Sequence, residues 1–238
     1  MSNQNNEQPM MNSFVKTIQE KIFSGQLSIG DKLPSERNLA SEYQCSKTMI
    51  HDGLLQLVNQ GFLNAIPRKG YFVANYTQHG NVDVLNAYLA YNSNHLDSYT
   101  FDALIEAILA IEGSALVKLS TNANENDLHY LKSIVKKMKM VDESNVDEIV
   151  SLFSLFHHSV CYLCKNALFP LLFNSFNELL EVFYKDFIQE YGKDNCLKAM
   201  RYFIGYIETK QGQKAYNLLG NLLKQFRSAN KKHNGANV

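Results

Sequence analysis

The chain has 238 residues, of which 45% are hydrophobic and 19% are charged. This length and composition can bury the core of one large domain or two ordinary domains, which excludes a chain that is disordered as a whole. Lys and Arg together number 23, as do Asp and Glu, so the formal net charge of zero excludes an overall field that attracts nucleic acid or an anionic membrane.

No part of the sequence is suited to crossing a membrane or to directing secretion. Its apolar runs, such as Leu168 to Phe173, fall far short of the roughly 20 residues that a spanning helix needs. The first ten residues are polar and do not form a secretory signal, so we expect a cytoplasmic protein without a membrane partner. Its four cysteines are then expected to be reduced. These are Cys45, Cys161, Cys164 and Cys196.

The first folded unit is predicted to start after a disordered segment at residues 1–10. Apolar side chains recur every three or four residues from Met11 to Ile22, which is the spacing that buries one face of a helix. Gly25 follows, and glycine adopts the left-handed backbone conformation that ends many helices. We therefore predict that the first helix ends near Gly25.

Two further helices are predicted from serines that precede them. Ser35 comes before a short helix that runs to Tyr43, and Ser46 comes before a third helix that ends at Gly61. A serine hydroxyl in this position accepts a hydrogen bond from a free amide of the first helical turn. The apolar stripe of the third helix faces inward, which leaves other residues of its first turn exposed.

A β-hairpin with a basic tip is predicted after the third helix. Phe62 to Ile66 and Tyr71 to Val73 have the composition of short strands, and Pro67-Arg68-Lys69-Gly70 forms the turn between them. Three helices followed by a hairpin is the order of a winged helix-turn-helix domain. We predict such a domain at residues 11–76.

The rest of the chain is predicted to be helical. Residues 77–99 are polar and are interpreted as a linker, in which Val82 to Leu89 could form a short helix. Residues 100–227 have helical periodicity in long blocks and predict an all-helical bundle. The blocks are residues 101–120, 125–140, 146–165, 168–191, 195–210 and 213–227. Residues 228–238 are predicted to be a flexible tail, and the fold class is mainly α.

The start of the third helix carries side chains suited to reading DNA. The major groove admits a helix, and residues near the N-terminus of that helix reach the base edges. Lys47 and His51 are four residues apart and share one face, and both can donate to guanine or to phosphate. Thr48 can offer its methyl group to thymine or its hydroxyl group to phosphate. Free amides of this first turn also favour a phosphate.

Further cations of this unit could contact the DNA backbone. Arg37 lies at the start of the second helix, and Arg68, Lys69 and Gly70 form the tip of the predicted wing, suited to the minor groove. The alternative is an ordinary solvated surface, because residues 1–75 hold seven Lys plus Arg against six Asp plus Glu, a net charge of one. A helix-turn-helix spacing with a wing is more specific than charge and favours DNA binding.

A set of short motifs runs through residues 30–73. They are Leu33-Pro34-Ser35-Glu36-Arg37, Leu39-Ala40, Ser46 with a basic residue and Thr48 after it, Leu54, Leu57, Gly61-Phe62-Leu63, and Gly70 with Phe72-Val73. In these positions the chain resembles the N-terminal domain of the GntR family of bacterial transcription regulators. The family usually has Arg where this chain has Lys47 and His51, so we expect an operator that departs from the common family site.

The resemblance implies a winged-helix domain that binds a palindrome of double-stranded DNA as part of a homodimer. Affinity for the two half-sites is then expected to fall steeply as salt rises. By this likeness, the residues that contact DNA are Arg37, Ser46, Lys47, Thr48, His51 and Lys69, with Gly70 at the wing tip.

The second unit carries a weaker set of matches. Phe156-His157-His158 is followed by Lys165-Asn166-Ala167-Leu168, and Glu112 lies in a helix with Ile111, Ala115 and Leu116. These residues resemble the FadR-type effector domain of the same family.

Most FadR-type domains hold a metal with one Asp and three His, but this chain departs from that set. The Asp position falls on Phe153, and two of the His positions fall near Met200 and Leu222, so His157 is the one ligand that remains. A lone imidazole does not hold Zn, Ni or Mn at useful strength. We therefore expect neither a metal nor another cofactor.

The resemblance then points to metal-free relatives, of which regulators that respond to fatty acyl-CoA are the known pattern. An apolar effector, such as a fatty acyl-CoA or another organic acid, would suit the many aromatic residues of this unit. The predicted effector-binding residues are Phe153, His157, Asn166, Tyr202 and Tyr206. The alternative is that most of these aromatic residues fill a bundle core and that His157 is a hydrogen-bonded core histidine.

Other functions stay open at this point. His157, Cys161 and Cys164 lie at i, i+4 and i+7 and could serve a metal- or thiol-dependent sensor if a fourth ligand came from elsewhere. The bundle could also be a ligand-free dimerisation core. The sequence contains no phosphate-binding loop, nucleophile elbow or metalloprotease helix, so we do not expect an enzyme. A transcription regulator controlled by a small-molecule effector is the favoured hypothesis.

Overall fold

The computed structural model of the chain describes residues 4–92 and 98–235, and side chains within 9–92 and 98–229. The chain divides into two compact units, Met1–Tyr91 and Asn92–Val238. Within the described ranges, no helix combines the length and apolarity that a bilayer crossing requires.

Three helices form the body of the first unit, and they begin where the sequence offers caps. Helix α1 spans Gln4–Phe23, α2 spans Glu36–Glu42 and α3 spans Lys47–Asn59. Ser35 Oγ accepts from the amide of Asn38 at 3.3 Å, and Ser46 Oγ accepts from the amide of Met49 at 3.1 Å, so both predicted N-caps are present. The helices enclose an apolar core that includes Phe14, Ile18, Leu39, Ile50, Leu54 and Leu57.

The predicted wing is present as a two-stranded hairpin. Strands β1 (Leu63–Ile66) and β2 (Gly70–Val73) are antiparallel, with Leu63 opposite Val73. The turn between them places Arg68 at φ 62° and Gly70 at φ 104°. A φ of 104° is readily adopted by glycine but is strained for a residue with a Cβ atom, which explains why glycine stands at position 70.

The first unit extends into the segment that the sequence predicted as a linker. Helices α4 (Tyr76–His79) and α5 (Val82–Asn92) follow the wing. The Phe23 ring lies 5.8 Å from the Tyr76 ring and 5.5 Å from the Tyr88 ring, measured between centroids. Much of residues 77–99 is therefore packed against the first unit, while residues 93–97 lie outside the described residues.

The second unit is a helical bundle, as predicted. Its helices are α6 (Ser98–Ile108), α7 (Ser114–Asn122), α8 (Glu125–Met140), α9 (Val146–Leu163), α10 (Phe169–Ser175), α11 (Asn177–Glu208) and α12 (Gly212–Gly235). Helix α11 packs against α7, α8, α9 and α12 and is thus central to the bundle. A single π-helical turn, Leu109–Gly113, joins α6 to α7.

The structure differs from the predicted element boundaries in three places. The predicted block at 168–191 is divided at Phe176, and Gly192 (φ 77°) kinks α11 close to the predicted break between 191 and 195. Residues 4–10, predicted to be disordered, belong to α1. Residues 228–235 of the predicted tail continue α12, while 1–3 and 236–238 lie outside the described residues.

A glycine sets the close approach of α1 to α3. A Cβ atom on Gly53 would lie 2.7 Å from the Phe14 ring, whereas one on Gly205, inside α11, would meet nothing within 4 Å. We expect Gly53→Ala to lower the free energy of unfolding by about 1–2 kcal/mol through overpacking. The same change at Gly205 should raise it by roughly 0.5–1 kcal/mol through helix propensity. Urea denaturation measures both, and equal effects at the two sites would contradict the tight contact.

Candidate DNA interface and buried cavity

The residues predicted to read DNA lie together on an exposed surface of the first unit. Ser46 caps α3, and the first turn of that helix presents Lys47, Thr48 and His51 to solvent. The side chains of Lys47 and His51 are 70% and 47% exposed. A DNA molecule could therefore reach both without displacing other side chains.

Glu36, which the sequence did not single out as a site residue, connects three elements at this surface. Its carboxylate accepts a hydrogen bond from His51 Nδ1 at 2.9 Å and one from the Tyr71 hydroxyl group at 3.4 Å. Lys47 Nζ lies 3.8 Å from the other carboxylate oxygen. The first residue of α2 thereby joins the start of α3 to the wing strand β2.

The contact with Glu36 decides which ring nitrogen of His51 is available. Nδ1 carries the proton that it donates to the carboxylate, so Nε2 is the nitrogen left for another partner. In the neutral ring Nε2 accepts a hydrogen bond, and in the protonated ring it donates one. His51 can thus accept from the amino group of adenine or cytosine, or donate to guanine or phosphate once protonated.

The remaining predicted DNA contacts are also exposed. Arg37 lies in the first turn of α2, and Arg68, Lys69 and Gly70 form the tip of the wing. Ser46 has a structural role, because its hydroxyl group already caps α3. These positions leave exposed cations on α3, on α2 and on the wing of the first unit.

The pair of Glu36 and His51 predicts a measurable pH response. The hydrogen bond from His51 holds the pKa of Glu36 below its ordinary value of 4.5. A carboxyl group with a lowered pKa stabilises the folded state above pH 4.5, and this contribution is lost as the pH falls through the folded-state value. We expect His51→Ala to raise the pKa of Glu36, measured by carboxyl carbon NMR. Lys47→Ala should raise it less; the reverse order would contradict this assignment.

The bundle of the second unit contains a small cavity in its core. Its volume is about 20 Å³, which is enough for one water molecule. Its aromatic lining comes from α9 and α11 and consists of Phe153, Phe183, Tyr184, Phe187 and Phe203. Its aliphatic lining consists of Ile108, Ala199, Leu219, Leu222 and Leu223.

Two ionisable residues, Glu112 and His157, complete the lining of this cavity. His157 Nδ1 donates to Glu112 Oε1 at 2.5 Å, and the side chains are 5% and 1% exposed, respectively. Glu112 lies in the π-helical turn, and turns of this kind are frequent at functional sites. A buried, hydrogen-bonded pair of a carboxyl group and an imidazole on a π turn is therefore the most polar feature of the described core.

Three polar atoms at this cavity have no hydrogen-bond partner among the described residues. They are Glu112 Oε2, His157 Nε2 and the Tyr184 hydroxyl oxygen. Burial, and then the charge of Glu112, raise the pKa of Tyr184 well above its ordinary value. Buried polar groups are usually satisfied, so three orphans at one cavity require an explanation.

The structure brings only part of the predicted effector set to this cavity. Phe153 and His157 line it, but Asn166, Tyr202 and Tyr206 do not. Asn166 instead accepts from the amides of Leu168 and Phe169 at the start of α10. Tyr202 is half exposed. An effector role for these three residues stays a prediction.

The lining explains why a family-type metal does not fit here. Phe153, at the implied Asp position, and Leu222, near an implied His position, line the same cavity as His157 and carry no donor atom. Met200, near the third position, is buried. The donors left around His157 are a single carboxylate and a phenol, which is not the set that would hold Zn, Ni or Mn.

The structure contradicts the alternative zinc site at His157, Cys161 and Cys164. Among the described side chains of residues 9–92 and 98–229, no group of three or more His, Cys, Asp or Glu could hold a metal ion. The Cys164 thiol donates to the carbonyl of Cys161, and burial raises the pKa of both thiols. Both groups are therefore held as thiols in the core, not as reactive thiolates.

Comparison with known proteins identifies each unit. A family model described as bacterial regulatory proteins, gntR family, matches residues 12–73, and one described as FCD domain matches residues 103–225. The mannosyl-D-glycerate transport/metabolism system repressor MngR of Escherichia coli is 28% identical over 103 residues, or 43% of each chain. The Glc operon transcriptional activator of the same organism is 23% identical over 179 residues, which cover 72% of this chain and 67% of that protein.

Two further comparisons set the limits of this likeness. The uncharacterized regulator YdfD of Bacillus subtilis is 35% identical over 69 residues, and the matched region spans 29% of this chain but only 14% of that relative. A solved GntR structure from Streptococcus agalactiae is 18% identical, with a TM-score of 0.50, and the match covers 90% of this chain and 99% of that one. The Lar regulator of Listeria monocytogenes is 15% identical, with a TM-score of 0.52 and coverage of 93% and 94%. At these identities the two structures show a shared fold alone.

Proposed function

The chain belongs to the GntR family and carries an FCD domain, and from this premise we propose that it is a bacterial transcription regulator that binds DNA through its first unit. One observation supports this most directly: the capped start of α3 exposes Lys47, Thr48 and His51, and Glu36 ties two of them to the wing. In this role the protein is a binding protein in the bacterial cytoplasm and not a catalyst.

A homodimer on a palindrome is part of the proposal. One winged-helix unit reads a few base pairs, and two units related by a two-fold axis would read half-sites spaced by about 34–36 Å, one turn of DNA. The cations Arg37, Arg68 and Lys69 would hold the backbone of each half-site. Lys47 and His51 would then supply the base contacts that distinguish this operator.

Control by a small-molecule effector in the bundle is the second part of the proposal. The cavity with Glu112 and His157 supports it, because an apolar pocket with a few polar residues in its lining is typical of binding sites. An effector alters DNA affinity only if it binds one arrangement of the protein better than another. A fatty acyl chain, which the family resemblance suggested, is far larger than a cavity of about 20 Å³.

The small cavity volume also favours a second candidate function. In that case the bundle is a ligand-free dimerisation core, and Glu112 and His157 are a structural pair. The two candidates differ in what the purified protein binds, and not in the DNA interface. Native mass spectrometry of the purified chain distinguishes them, since it reports the dimer mass and any co-purified small molecule together.

A genomic selection tests the DNA-binding role. Fragmented bacterial DNA is selected on the purified chain at low salt, and the enriched duplex is then titrated by fluorescence anisotropy at several salt concentrations. We expect a palindromic site, and an affinity that falls by about 10³-fold or more between 50 and 200 mM salt if six or more phosphates are contacted. Failure to enrich any duplex would refute the proposed function.

A further inference from the structure

Three residues that line the cavity in the C-terminal unit carry polar atoms that have no hydrogen-bond partner among the described residues. Glu112 Oε2 is an acceptor, and His157 Nε2 is a second one in the neutral ring, because Nδ1 carries the proton donated to Glu112. The Tyr184 hydroxyl group can accept as well as donate. All three side chains are at least nine-tenths buried, so bulk water does not satisfy them.

The charge of the cavity favours a cation. Glu112 contributes a carboxylate, and none of the twelve described lining residues is Lys or Arg. An anionic ligand would place a second negative charge beside this carboxylate in a medium of low dielectric constant, where repulsion is strong. Aromatic rings can attract cations, and the rings of Phe153, Tyr184 and Phe203 lie beside the His157 imidazole.

We infer that this cavity binds the ammonium group of a small primary amine. An ammonium group has three donors, which match Glu112 Oε2, His157 Nε2 and the Tyr184 oxygen, and its charge neutralises the carboxylate. The apolar part of the amine would contact the leucine side of the lining. This inference rests on the proposed effector-binding function and names its ligand class, which is neither a fatty acyl-CoA nor an organic acid.

The apolar part of such a ligand has one evident direction in which to extend. Leu222 is the partly exposed residue of the described lining, whereas the other lining side chains are buried. The space beside Glu112 holds only a group the size of one water molecule, so an alkyl chain must pass by Leu222. Leu222→Ala is therefore expected to widen the path and to strengthen binding of an amine with a longer chain.

A series of matched small molecules tests the ligand class on the full chain. The probes are n-butylamine, n-butanol and sodium butyrate, which share one alkyl chain, at neutral pH and constant ionic strength. Concentrations run to about 20 mM, because fragments of this size reach dissociation constants near 1 mM. Binding is read from the midpoint of thermal unfolding and from saturation-transfer NMR of the probe. We expect n-butylamine alone to raise the midpoint and to show saturation transfer.

Two variants locate the binding. Glu112→Gln retains the shape of the side chain and an acceptor for His157 but removes the charge. We expect it to weaken the affinity for n-butylamine at least about tenfold. Leu222→Ala should increase the affinity for n-butylamine several-fold. Circular dichroism checks that each variant is folded. If Glu112→Gln does not fold, Tyr184→Phe replaces it, and a loss of amine affinity is again expected.

Each outcome decides the inference. Selective binding of the amine in the wild-type or Leu222→Ala chain, weakened by Glu112→Gln, supports it. Equal or tighter binding of butyrate or butanol overturns it, as does undiminished amine binding in Glu112→Gln. Absence of amine binding in both the wild-type and Leu222→Ala chains also overturns it, while binding of the selected duplex would leave the DNA-binding function intact.

Discussion

Replacing His157 with leucine is expected to lower the free energy of unfolding of the helical bundle by about 3–5 kcal/mol. His157 donates to Glu112, and both side chains are almost fully buried. Without the imidazole, the Glu112 carboxylate would lose its hydrogen-bond donor in an apolar core whose described lining contains no Lys or Arg. Removing one partner of a buried pair is costly because the other charge loses its compensation. Urea denaturation followed by circular dichroism measures the change.

The double variant Glu112→Leu with His157→Leu is the decisive companion to this measurement. It removes both ionisable groups, so we expect it to recover most of the loss, since apolar replacements of a whole buried pair are often neutral or stabilising. His79→Leu, on an exposed histidine of α4, serves as the control and should change stability by less than about 0.5 kcal/mol. If the His157→Leu variant proves as stable as the double variant, then Glu112 is not a buried charge that depends on His157.

The double variant Lys47→Ala with His51→Ala is expected to weaken binding of the selected duplex by about 100-fold or more. Both side chains are exposed at the start of α3, and base or phosphate contacts of this kind contribute roughly 1–3 kcal/mol each. Neither side chain belongs to the apolar core of the first unit, so the helix should form as before. Fluorescence anisotropy with the selected duplex measures the loss.

A control and a fold check accompany the recognition-helix variants. Lys224→Ala removes a cation from α12 of the bundle, to which no DNA contact is assigned, and should leave affinity within a factor of about two. Native mass spectrometry should report an unchanged dimer mass for the double variant. Unchanged DNA affinity in the double variant would contradict the role given to the start of α3. Loss of both DNA binding and the dimer would indicate misfolding and would equally remove the support for this role.

The small volume of the cavity separates the effector hypothesis from the dimerisation hypothesis. The cavity has a polar pair in an apolar lining, as many binding sites do. Its volume, however, holds one water molecule and is smaller than most ligands need. The two hypotheses therefore differ on whether the wall at Leu222 can open. Amine binding that depends on Glu112 favours the effector hypothesis, whereas a bundle that binds no member of the series favours a structural core.

Much of the fold could be predicted because helices and turns depend on nearby residues. Apolar periodicity located α8 at 125–140 and the break in α11 close to Gly192, and serine caps located the starts of α2 and α3. The exposure of Lys47 and His51 followed from the same pattern, because a side chain opposite an apolar stripe faces solvent. These features need information only from within a few turns of the chain.

The tertiary structure alone decided the chemistry of both sites. Glu36 is 15 residues from His51 and 35 from Tyr71, and Glu112 is 45 residues from His157, so no local spacing relates these partners. The contact between Glu36 and His51 decides which nitrogen of His51 is free for another partner. The contact between Glu112 and His157 places the polar residues of the buried cavity. The volume of that cavity depends on how side chains from several helices interdigitate, because close packing is a property of the assembled core and not of any one segment.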